Sequence, residues 1–140
     1  MEQRDIIKDQ IEELGRVLRK IVAHFFDLKL QGFMQQGIEV SNEALKGKLD
    51  FEVDLFLSLS GREAKAYLEK KDITAENLET LATYLKEIGM AKIENDTLLA
   101  KTYFSKALNL LDFADEASKT MSFERFNKKA KLKAILKEII

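Results

Sequence analysis

His24 is the single imidazole of the chain, and the chain has no cysteine. A zinc-type centre needs three or four nitrogen, sulfur or carboxylate ligands. Beside His24 the sequence offers only Asp27, one helical turn on. That falls short of a metal site, so His24 reads as an ordinary helix residue, and neither metal nor cofactor is expected. The remaining groups with chemical potential are carboxylates: Glu12 with Glu13, and Asp112 with Asp115 and Glu116. Such groups perform acid–base work when their surroundings push two pKa values apart. On helices as charged as these, they read instead as solvated faces or as partners of lysines at helical spacing. No glycine-rich phosphate loop, dinucleotide fingerprint or nucleophile elbow occurs, and the expectation is a non-catalytic protein.

Charge is distributed unevenly. The chain of 140 residues holds 23 basic and 24 acidic side chains, a formal net charge of -1, which exerts no general pull on nucleic acid or membrane. From Lys119 onward, however, Lys119, Arg125, Lys128, Lys129, Lys131, Lys133 and Lys137 face only Glu124 and Glu138. Lys128, Lys129 and Lys131 form a candidate basic patch, and with Phe123 and Phe126 nearby this segment has the makings of a nucleic-acid or anionic-surface binder. The competing reading is a solvated face whose cations favour the negative end of a helix.

The elements that must position these groups are helices. Proline is absent, glycine occurs six times, and 46% of residues are hydrophobic, so long helices meet little interruption. The expected domain is a single one, 1–140. The opening residues are too acidic for a signal peptide, no apolar run is long enough to span a bilayer, and a cytoplasmic protein is expected. Ile7, Ile11, Leu14, Leu18, Ile21, Phe25 and Leu28 step by four and three along one face of a long first helix. Gly32 is its expected stop. A second helix from about Phe33 to Lys46 carries Met34, Ile38, Ser41 and Leu45 on its apolar side, with Gly47 suggesting its end.

Leu49 to Leu59 alternates like a strand, but no second strand is available to pair with it. The expectation is an extended segment passing into a short helix near Leu55. Ser60 with Glu63 spells a capping box, and Thr74 opens a helix bearing Leu78, Leu81, Leu85 and Ile88. Asn95-Asp96-Thr97 turns into a helix reaching about Ala117, with Ala100, Tyr103, Phe104, Ala107, Leu108, Leu111 and Ala114 inward. Ser122 caps the last helix, whose expected buried positions are Phe123, Phe126, Ala130 and Ile135.

Two segments are alike. In Gly32 to Gly37 and in Asn95 to Ala100 a turn residue lies five positions before a small one, and Ala44-Leu45 and Ala107-Leu108 follow seven residues later. This is similar to the second helix of a tetratricopeptide repeat, where small residues permit close helix packing. Leu85, Ile88 and Gly89 match the first-helix spacing of that repeat, with Leu in place of Trp, and Ala100 with Phe104 matches its Ala-x-x-x-Phe element. Lys92 stands where Tyr is usual, Ser41 where an aromatic is usual, and the closing Pro is missing. The layout also resembles a family of short, uncharacterised bacterial proteins that open with a Glu-Gln-Leu-Gly helix, here Glu12-Glu13-Leu14-Gly15.

The resemblance implies an all-α fold of antiparallel helical hairpins, a degenerate tetratricopeptide-like array behind a long N-terminal helix. It further implies a groove lined by the first helix of each pair, which makes Thr83, Lys86 and Met90 the candidate groove residues. Lys86 suits a partner's carboxylate, whereas Met90 stands where the carboxylate clamp of such repeats has Asn. The function expected is a protein- or peptide-binding module, with nucleic acid the less favoured partner. The heptad-like first-helix stripe leaves room for a homodimer.

Overall fold

Helix starts follow the local chemistry of the caps. In the structure, a computed structural model that describes the backbone of residues 2–71 and 73–139 and the side chains of residues 8–71 and 73–139, Ser60 accepts a hydrogen bond from the Glu63 backbone N–H while the Glu63 carboxylate accepts from the Ser60 N–H. This reciprocal pair starts α4. Thr74, Asp96 and Ser122 each accept from the N–H three residues on, satisfying one of the otherwise orphaned donors of a first turn. The fold is all-α. Seven helices are described: α1 (Glu2–Leu30), α2 (Met34–Leu49), α3 (Val53–Ser58), α4 (Gly61–Glu69), α5 (Ala75–Lys92), α6 (Thr97–Ser118) and α7 (Phe123–Glu138). Their contacts group into two compact units, Met1–Ile73 and Thr74–Ile140.

In the first unit α1 and α2 form a hairpin. Gly32 makes the turn at φ 89°, a left-handed conformation open to a residue without Cβ. Leu18, Ile21 and Phe25 of the expected stripe are buried, Leu28 is half-buried and Leu14 is 40% exposed. The side chain of Ile7 lies outside the described residues. Ile38, Ser41 and Leu45 face inward from α2 as expected. Gly47 does not end this helix. It continues to Leu49, and Asp50 takes the left-handed position at φ 52°, its N–H donating to the Lys46 carbonyl and the next N–H, of Phe51, to the Leu45 carbonyl.

Residues 50–52 are extended or turn-like and lead into the short α3, as the lack of a partner strand implied. Phe51, Phe56 and Tyr67 then stack with ring centroids 5.3–6.2 Å apart. The Tyr67 hydroxyl accepts from the Glu52 N–H at 2.9 Å, and Lys71 bonds the Asp50 carbonyl and lies 4.6 Å above the Tyr67 ring. This aromatic cluster supplies an apolar base for a stretch whose alternation alone would suggest a strand.

The second unit is built on the α5/α6 hairpin. Leu78, Leu81, Leu85 and Ile88 meet Ala100, Tyr103, Phe104, Ala107 and Leu111, all buried. Leu110 is buried as well, whereas Leu108 is half-buried. Gly89 lies in the last turn of α5, which ends at Lys92. A Cβ at Gly89 would sit 2.8 Å from Phe104 Cε1, so the missing side chain is what lets the Phe104 ring lie against the α5 backbone.

The last helix departs from expectation. Phe123 is 89% and Phe126 56% exposed. Ala130 is exposed and Ile135 only half-buried. The buried residues of α7 are Arg125 and Leu132. Apolarity misleads in this helix because a multiply bonded arginine turns the opposite face inward.

Candidate functional site

Arg125 decides which way α7 faces. Its Nε donates to Asp115 Oδ1 at 2.6 Å, and its Nη1 to Glu79 Oε2 at 3.3 Å. Nη2 donates to Ser118 Oγ at 2.9 Å and to the Thr120 carbonyl at 2.8 Å. A planar guanidinium with five donors can satisfy four acceptors drawn from α5, α6 and the α6–α7 turn. One turn along, Lys129 donates to Asp115 Oδ2 at 2.7 Å and to Asp112 Oδ1 at 3.1 Å. Lys128 lies 3.6 Å from Glu79.

This cluster perturbs its members. Burial pushes the Asp115 carboxyl up, but the hydrogen bonds and charges of Lys129 and Arg125 outweigh it and hold the group below the usual carboxylate range. The hydrogen bond to Asp115 leads the effects that raise both the Arg125 guanidinium and the Lys129 ammonium above their ordinary values. Asp112 and Asp115, which the sequence marked as candidate acid–base groups, are thus partners of cations that hold α7 in place.

With Arg125 and Leu132 inward, α7 delivers Lys128 and Lys131 to the side of α5 that carries Thr83 and Lys86. The four line a pocket of about 180 Å³ floored by Ala82, Leu111 and Leu132. Two expectations drawn from different signals therefore converge on one place: the groove residues Thr83 and Lys86, and the basic-patch residues Lys128 and Lys131. Met90 is 47% exposed and is not part of the pocket. Lys129 is turned toward α6.

The donors available in this pocket are ammonium groups. The Thr83 hydroxyl already donates to the Glu79 carbonyl at 3.1 Å, so it offers lone pairs and a wall. Neither Lys86 nor Lys131 has an ion-pair partner among the described residues. A cationic rim over an apolar floor suits an anionic group on a short carbon stem. Sequence reasoning missed Arg125. The signal that could have found it is the matched spacing of Arg125 with Lys129 on one helix and Asp112 with Asp115 on the preceding one. No group of three or more His, Asp or Glu side chains that could hold a metal occurs among the described residues, and no described helix is long and apolar enough to cross a membrane.

Compared with protein-family models, with curated proteins and with solved structures, the chain matches none.

Proposed function

We propose that the chain is a non-catalytic binding module of helical-hairpin type, in the manner of a tetratricopeptide-like protein, and that its second unit grips an acidic segment of a partner protein. The observation that carries this reading is the pocket in which Lys86 of α5 and Lys128 and Lys131 of α7 surround an apolar floor. An Asp or Glu side chain, or a chain-terminal carboxylate, would sit among the ammonium groups with its methylenes against Leu111 and Leu132. Such contacts at a half-open rim are individually weak and screened by salt, which suits a reversible scaffold contact.

The competing reading is a nucleic-acid or anionic-surface binder on the C-terminal basic run. Against it, Lys129 is committed to Asp112 and Asp115, and Lys128 shares Glu79, so less free positive charge faces outward than the sequence count suggests. Fluorescence anisotropy separates the two. A labelled hexaglutamate peptide is expected to bind saturably at low salt, and Lys86→Glu with Lys131→Glu to weaken it by about tenfold or more. Duplex DNA binding tighter than the peptide, with a steep salt slope, would overturn the peptide reading.

A further inference from the structure

A second pocket, about 340 Å³ in volume, opens between α1 and α2 of the first unit. Lys20 and His24 line it from α1 and Lys48 from α2. Val17 and Val40 give it apolar sides, Ser41 lines it too, and no Asp or Glu is among its lining residues. Ser41 is 1% exposed, and its Oγ is buried without a hydrogen-bond partner.

That orphan hydroxyl differs from the hydroxyls of four helical threonines. Thr80, Thr83, Thr97 and Thr102 each donate to the carbonyl four residues back, the usual recourse of a hydroxyl on a helix. A buried hydroxyl that takes no partner weakens the fold unless something else supplies one. Ser41 is among the residues that line a pocket with two lysines, a histidine and two valines.

We propose that this pocket binds a small monocarboxylate with a short aliphatic body. The carboxylate accepts from the Ser41 hydroxyl and from the Lys20 and Lys48 ammonium groups, and the aliphatic body lies against Val17 and Val40. The unpaired hydroxyl is then a binding group whose partner arrives with the ligand.

The test uses the full chain, labelled with 15N, titrated with sodium hexanoate. Hexan-1-ol serves as the body without the charge, and inorganic phosphate as an anion without the body. Hexanoate is expected to shift the amide signals of residues 17–24 and 40–48 saturably, with hexan-1-ol and phosphate binding at least about tenfold more weakly. Ser41→Ala is expected to raise the thermal midpoint of the free protein while weakening hexanoate by about threefold or more. Lys20→Gln with Lys48→Gln is expected to weaken hexanoate by about tenfold with the midpoint unchanged. The proposal is overturned by absence of a saturable shift, by hexan-1-ol or phosphate binding as well as hexanoate, or by unaltered affinity in these variants. A lowered midpoint in Ser41→Ala would also overturn it, since the hydroxyl would then have a partner within the fold.

Discussion

Truncating Arg125 removes the shared partner of Asp115 and Glu79, two carboxylates with side chains only 21% and 19% exposed. Lys129 still holds Asp115 and Lys128 still lies beside Glu79, so Arg125→Ala is expected to cost about 2 kcal/mol in urea denaturation through the lost charge-assisted hydrogen bonds. Phe126→Ala, an apolar truncation on the exposed face, is expected to change stability by no more than about 0.5 kcal/mol. The opposite ranking would mean that α7 packs through its phenylalanines. The same cluster sets an acid limb. Because the folded-state carboxyl of Asp115 is held below its reference value of 3.8, its contribution is complete above that value and is lost as pH falls through the lower folded value. Thermal melts from pH 7 down to pH 2 should therefore show a decline below about pH 4 that is smaller in Asp115→Asn. An identical decline in the variant would remove Asp115 as its source.

At the scale of elements, glycines report what each helix packs against. Gly47 lies within α2 with nothing within 4 Å of a built Cβ, so Gly47→Ala is expected to stabilise the protein by about 0.5–1 kcal/mol through helix propensity alone. Gly89→Ala brings a methyl group against the Phe104 ring and is expected to cost about 1–3 kcal/mol, partly recovered by Phe104→Leu. Chemical denaturation of the three variants checks both signs. Helix positions and most of the hairpin cores were legible from apolar spacing and from the caps at Ser60, Thr74, Asp96 and Ser122, because those signals are local. The end of α2 was not, since Asp50 accepts a left-handed conformation in place of the glycine three residues earlier. The facing of α7 was not legible either. Two phenylalanines outweigh one arginine on any hydrophobicity count, yet the arginine finds four acceptors on neighbouring elements, and such long-range pairing leaves little trace in periodicity.

For the whole molecule, the candidate site depends on that facing. Lys86 and Lys131 lie far apart in sequence, and they line one pocket because Arg125 and Leu132 turn α7 against the α5/α6 hairpin. Thr83, Lys86, Lys128 and Lys131 could each be named from the sequence, but their meeting could not. The most direct measurement of the central claim is a residue-resolved NMR titration of the full chain with hexaglutamate peptide, reading backbone amides and lysine Nζ signals together. The account predicts saturable shifts concentrated at residues 82–86 and 128–132, with the Lys86 and Lys131 ammonium signals among the largest. Shifts confined to other surfaces, or none that saturate, would contradict it.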